Sequence, residues 1–184
     1  MKIIGFHGQM GVGKSEAINQ LKSLILSPLA LVKFAQPLYD IQEYIYTRIC
    51  GVHTRPADFK KDRKLLQWIG TEWGRGSISQ TLWIDLWRAE VERATAAGRL
   101  VVCDDVRFDN EAEVIKRMGG IVVEIQSDRA SERINTAAGI AGHASEAGIR
   151  RELVTAIIEN NGTLEDLKDS VSSLLKELAE KYGD

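Results

Sequence analysis

A chain of 184 residues with 44% hydrophobic and 27% charged residues has the size and make-up of one soluble globular domain with a core of its own. Its formal net charge of -2 excludes a protein that coats nucleic-acid duplexes, since that task needs a concentrated basic face. Two cysteines, Cys50 and Cys103, with no CxxC pair argue against a disulfide framework or zinc site, and no apolar run reaches membrane-spanning length, so a cytoplasmic protein without a signal peptide is expected.

In chain order, "KIIGF" (2–6) reads as a first strand and 14–26 as the helix after it. "ALVKFA" (30–35) reads as a second strand. Helical patterns follow over 37–50, 60–75 and 79–97. "RLVVCD" (99–104) and "GIVVEIQ" (120–126) are nearly continuous apolar runs, as strands buried on both faces of a parallel sheet should be, with a helix at 109–118 between them. The small, polar, arginine-containing segment 127–150 reads as a flap. "VTAIIEN" (154–160) is a fifth strand candidate. A last helix spans 163–181, with Thr163 and Asp166 as a capping pair and Leu164, Leu167, Val171, Leu174, Leu175 and Leu178 as its apolar stripe. Strands alternating with helices predict a three-layer α/β domain with right-handed crossovers.

"GQMGVGKS" (8–15) matches G-x-x-x-x-G-K-[ST] between a strand and a helix, the context a phosphate-binding loop requires. Gly8, Gly11 and Gly13 let backbone N–H groups turn inward around phosphate oxygens, and the helix N-terminus adds partial positive charge. Lys14 spans β- and γ-phosphates, and Ser15 offers a hydroxyl to Mg²⁺. Gly8, Gln9, Met10, Gly11, Val12, Gly13, Lys14, Ser15 and Glu16 are therefore the expected ATP-binding set. Asp104 and Asp105 stand where the apolar run of the third strand stops, and they are the candidate metal ligands with Ser15. Alternation does not decide between the two; capping acids after a strand are the plain alternative.

A switch GTPase needs an N-K-x-D after a later strand, and "IIENNGT" contains none. The chain instead carries arginines where a phosphoryl-transfer crevice can use them: Arg107 after the acids, Arg63 and Arg75 in the middle, Arg129 and Arg133 in the flap. A guanidinium pairs phosphate oxygens bidentately and stays charged. Closed over the transferring group, arginines stabilise its charge and exclude water.

"KFAQPLY" (33–39), "RKLLQWIGTEWGR" (63–75), "DVRFDNEAEVIKRMGG" (105–120) and "HASE" (143–146), after the phosphate loop, resemble the bacteriophage deoxynucleoside monophosphate kinases. The resemblance runs from the first strand to about residue 165, and "DVRF-x-NE" followed by "GG" and an apolar strand is its most specific part. It implies a P-loop kinase fold with a five-stranded parallel sheet and one kinase domain over 1–184. Within it, a monophosphate-binding helical insertion would span about 36–97 and a lid about 127–150. It also implies transfer of the ATP γ-phosphate to a deoxynucleoside 5′-monophosphate with Mg²⁺, in host cytoplasm for a phage-encoded chain.

Carried onto matching positions, the resemblance makes Lys14 and Ser15 the donor-phosphate and metal residues. It places Asp105 near the acceptor phosphate or metal and makes Arg107 the clamp on the acceptor phosphate. Arg63, Gln67 and Arg75 would line the monophosphate pocket, with Gln67 a base reader because its amide both donates and accepts. Trp83 and Asp85 follow where such kinases often hold base or sugar. The lid has "NTAAGIAG" at its centre where ordinary nucleotide kinases are arginine-rich, so whether Arg129, Arg133 or both reach the triphosphate stays open.

Plainer readings stand beside these. Trp68, Trp73, Trp83 and Trp87 have the helical spacing of core aromatics. Phe34 packs beside a base or closes the second strand; His143 touches substrate or holds the lid, or is a surface or capping histidine; Glu146 serves the acceptor or caps the next helix. The apolar surplus of 60–97 suggests a homodimer. The expected partners are small nucleotides, with no nucleic-acid polymer and no membrane. The alternatives are a P-loop kinase for dephospho-coenzyme A or a sugar acid, and, further off, a non-kinase P-loop NTPase.

Overall fold

The computed structural model describes residues 2–48, 61–128 and 148–182. Five strands form one sheet in the order β2-β3-β1-β4-β5: β1 (Ile3–His7), β2 (Leu29–Leu31), β3 (Leu100–Val106), β4 (Ile121–Gln126) and β5 (Ala156–Glu159). Every pairing is parallel. The first strand lies at the centre, which is why its residues are so uniformly apolar: Ile3, Ile4 and Phe6 are all buried.

Alternation along β1 assigns the two faces. Ile4 and Phe6 join Val102, Val123 and Ile125 in a core closed by Ala17, Ile18 and Leu21 of α1 (Lys14–Leu24) and by Leu167, Val171 and Leu174 of α6 (Leu164–Tyr182). The opposite face meets α5 (Asp109–Arg117). There a side chain at Gly5 would lie 2.5 Å from Ile115 Cδ1, so the glycine admits the helix. Helices on both faces make the expected three-layer arrangement.

The chain divides into two compact units: Met1–Val32 with Val91–Asp184, which holds the sheet, and Lys33–Glu90. The second unit contains α2 (Gln36–Arg48), α3 (Arg63–Gln67), a π-helix over Trp68–Ile78, and the start of α4 (Leu82–Ala96). Its centre is aromatic. Phe34 stacks on Trp87 with ring centroids 4.4 Å apart, and the Trp83 indole N–H donates to the Gly70 carbonyl at 2.8 Å. α3 starts on Asp62, whose Oδ1 accepts from the Leu65 amide at 3.0 Å and Oδ2 from the Tyr46 hydroxyl at 2.9 Å. These bonds favour the ionised carboxylate and hold its pKa below the usual 3.8.

Three boundaries differ from expectation. The helix expected over 60–75 is α-helical only over Arg63–Gln67 and continues as the π-helix. Glycines open that wider winding: at Gly74 an added Cβ would sit 2.3 Å from Trp83 Cζ2, and Trp83 also takes the Gly70 carbonyl. The second strand stops at Leu31, before Lys33, because Phe34 turns away into the aromatic stack. The third strand runs on through Asp104 and Asp105 to Val106 instead of ending at 104. Most of the flap at 127–150, residue 60 and the last two residues of the helix expected over 37–50 lie outside the described residues.

Candidate active site

The phosphate loop leaves β1 at Gly8 and enters α1 at Lys14. Gly8, Gly11 and Gly13 have φ of +138°, +86° and +101°, values that a residue with a Cβ rarely adopts. Gly8 also has no room for one, since the added atom would lie 2.4 Å from the Ile125 carbonyl oxygen. Gly13 is the residue ahead of α1, so the free amides of the first helical turn open onto the loop. Lys14 Nζ reaches back across the loop to the carbonyls of Gly8, at 2.6 Å, and Gln9, at 2.8 Å. Gln9, Met10 and Ser15 are exposed, Glu16 half-buried with its carboxylate taking the Gln20 amide at 2.8 Å, and Val12 is buried beneath.

Beside the loop lies a cavity of about 340 Å³, in the range of small-ligand sites. It opens at the carboxyl ends of β1, β3 and β4, where open parallel sheets bind ligands. Loop residues Gly8, Gln9, Met10 and Val12 form one side; His7, Arg107, Ser127, Asp128 and Gly148 stand around it. His7 Nδ1–H donates to the Val106 carbonyl at 2.9 Å.

The two acids differ in environment. β1 pairs with β3 as Ile3–Val101, Ile4–Val102 and Gly5–Cys103, then slips to His7–Val106, so β3 carries one extra residue at the aspartates. Such a bulge re-aims side chains beside an active site. Asp105 lies on the Cys103 side and accepts from that thiol at 3.1 Å. Burial, then the Asp105 charge, pushes the Cys103 thiol well above its usual 9.0 and keeps it protonated. Asp104 is half-buried in β3 between Cys103 and Asp105.

Arg107 is placed by a residue the sequence reading did not single out. Glu111, 2% exposed, accepts through Oε2 from the amides of Arg107 at 2.8 Å and Phe108 at 3.2 Å. The carboxylate therefore sits at the N-terminus of α5, satisfies two of its free donors and fixes the backbone that carries Arg107. The E of "DVRF-x-NE" was the available signal. Past the flap, Arg150 binds the Asp109 carboxylate through its amide and side chain at 2.8 and 2.9 Å, and contacts Glu113.

In the second unit, Arg63 and Gln67 are exposed at the two ends of α3, Arg75 is half-buried on the π-helix, and exposed Asp85 accepts from Thr81 Oγ1 at 2.8 Å. Phe34 and Trp83 are buried, as the core reading of the aromatics expects for Trp83 and Trp87, whereas Trp68 and Trp73 are exposed. Arg129, Arg133, His143 and Glu146 lie outside the described residues.

A phosphate loop at the centre of a five-stranded parallel sheet defines the class of P-loop kinase-like α/β proteins. Solved structures agree on the fold: a Thermus thermophilus protein (TM-score 0.53, 18% identity, covering 96% of this chain and 97% of that one) and the Campylobacter jejuni dephospho-CoA kinase (TM-score 0.52, 15% identity, covering 97% and 98%). Residues 16–171 match the deoxynucleotide monophosphate kinase family, and the chain belongs to that family. It is a phosphotransferase. A mimivirus protein provisionally named for the same activity (Acanthamoeba polyphaga mimivirus) is 28% identical over 94% of this chain and 95% of its own length. The deoxynucleotide monophosphate kinase of Enterobacteria phage T4 is 24% identical over 72% of this chain and 53% of its own. Among the described residues no helix is long and apolar enough to cross a membrane.

Proposed function

We propose that the chain transfers the γ-phosphate of ATP to a deoxynucleoside 5′-monophosphate, releasing ADP and the deoxynucleoside diphosphate. The cavity that joins the phosphate loop to Arg107 carries the reading, because it sets a triphosphate cradle beside a guanidinium. An oxygen of the acceptor phosphate attacks the γ-phosphorus as the bond to the β–γ bridging oxygen breaks in line. The protein contributes position and charge rather than covalent help. Lys14, drawn from the loop carbonyls, neutralises the β- and γ-phosphates; Arg107 holds the acceptor phosphate and the developing charge.

Mg²⁺ supplies further charge neutralisation on the phosphates when bound. The donor set fits it: Ser15 in α1 and Asp104 in β3 offer hard oxygen atoms, while Asp105 is engaged by the Cys103 thiol. Asp105 in this reading stays near the acceptor phosphate.

Arg63, Gln67 and Arg75 take the monophosphate, with Gln67 reading the base and Asp85 the sugar; Phe34 and Trp83, both buried, back them from the core of their unit. Arg129, Arg133, His143 and Glu146 keep the lid and substrate roles that the resemblance implies. The substrates and the reaction belong in a cytoplasm, and exposed Trp68, Trp73 and Ile78 support a homodimer, which sedimentation would read directly.

The test is an acceptor panel with ATP. Turnover of dGMP, dTMP or a related deoxynucleotide is expected; turnover only of dephospho-coenzyme A or a sugar acid overturns the acceptor, and hydrolysis that no acceptor accelerates overturns the kinase. Lys14→Ala and Arg107→Ala should each remove most transfer while leaving thermal unfolding within a few degrees of wild type. Wild-type activity of Arg107→Ala at low acceptor concentration would remove the clamp.

A further inference from the structure

The turn after β5, "ENNGT" (159–163), belongs to no site described so far, yet its two asparagines hold both sides of the cavity. Asn160 Nδ2 donates to the Val12 carbonyl of the phosphate loop at 2.8 Å, and the Asn160 amide donates to the Gln126 carbonyl at 2.8 Å. Asn161 accepts from the Asp128 amide at 2.8 Å and donates to Asp128 Oδ2 at 2.8 Å. Asn160 also covers Gly13: a Cβ there would lie 2.3 Å from Asn160 Nδ2.

In a trans peptide the carbonyl and the following N–H point in opposite directions. With the Val12 carbonyl tied to Asn160, the Gly13 N–H is committed to the side away from Asn160. A phosphate cradle needs its amides turned toward the anion, and glycine at position 13 by itself permits either orientation of this N–H. We propose that Asn160 is a positioning residue for the donor phosphates, holding the Val12–Gly13 peptide so that the Gly13 N–H faces the triphosphate. The contact crosses 148 positions of sequence and ties the end of β5 to the start of α1. Its side-chain amide is suited to this because it donates without bringing charge: a lysine would bring a second cation, and a carboxylate would repel both the carbonyl and the phosphates.

The inference rests on the reading that residues 8–15 bind a triphosphate, and its test separates the two. In the full-length chain, dissociation constants for ATP and for inorganic tripolyphosphate are measured by calorimetry for wild type, Asn160→Ala and Asn160→Asp. Asn160→Ala should weaken both probes about tenfold, in proportion to one lost hydrogen bond, with KM for the acceptor unchanged. Asn160→Asp, nearly the same shape, should weaken them further. Folded variants that bind both probes as wild type does overturn the inference alone, as does a loss confined to ATP, which would make Asn160 a reader of the base. Should the variants not fold, the wild-type Gly13 amide resonance decides: it must shift on adding tripolyphosphate, and an unmoved resonance overturns the assignment. Wild type that binds neither probe removes the phosphate-loop reading and this inference together.

Discussion

Glu111 illustrates how a single side chain serves the site without touching substrate. Its carboxylate is buried, and the amides of Arg107 and Phe108 are what satisfy it. Truncation leaves those donors unpaired, so Glu111→Ala should lower stability by about 1–3 kcal/mol, whereas Glu111→Gln, which keeps an acceptor, should cost less. A shifted denaturation midpoint at constant slope would show it; equal midpoints for both variants would mean that shape and not hydrogen bonding matters at this position. The candidate residues for the chemistry were legible at this scale because that chemistry asks for their types: glycines for the loop, a lysine and a serine at its end, an arginine after the acids. The residues that hold them were not. Glu111 was legible only as part of a family motif, and Asn160 carried no signal, since its partner is the Val12 carbonyl and a backbone carbonyl leaves no mark in sequence.

Among the elements, α6 matches its expectation closely, and its start is testable by pH. Thr163 donates to Asp166 through its amide and hydroxyl, both at 2.7 Å, and the Asp166 amide returns a bond to the Thr163 hydroxyl at 3.2 Å. The amide bond, then the hydroxyl bond, holds the Asp166 pKa below the usual 3.8. A depressed folded pKa means that the stabilisation is complete above about pH 3.8 and is lost as pH falls through the folded value. Asp166→Asn should therefore flatten the fall of the melting temperature on acidification below that range and change little at pH 7 in its slope; an unchanged acid profile would show that other carboxylates govern it. The π-helix is the opposite case. "WIGTEWGRGSI" has the helical periodicity that predicts 60–75, but the winding widens where Gly74 admits Trp83 and the Gly70 carbonyl accepts from its indole. That indole comes from the next helix, so a local pattern cannot announce it. Strand ends failed for a related reason: Phe34 left β2 for Trp87, and a bulge carried β3 past both aspartates.

For the molecule as a whole, ligand binding and stability are linked. A ligand held only by the folded chain raises stability by about 2.7 kcal/mol at a hundredfold excess over its Kd, roughly 5 to 10 °C of melting temperature for a chain of this size. ATP should produce that shift in wild type and not in Lys14→Ala; an equal shift in both would place the triphosphate elsewhere than the phosphate loop. Sequence alone determined the class: apolar strands alternating with amphipathic helices require a covered parallel sheet, and a glycine-rich loop between a strand and a helix points to phosphate binding, because both follow from local covalent and steric rules. Only the tertiary structure decided the order β2-β3-β1-β4-β5, which puts the loop at the centre of the sheet, with Arg107 lining the same cavity and Asn160 against the loop. It also set a bulge at Asp104 and Asp105 that depends on pairing with β1. Strand order and register are set by which buried faces fit together across long stretches of chain, and that energy belongs to contacts between segments rather than to any one of them.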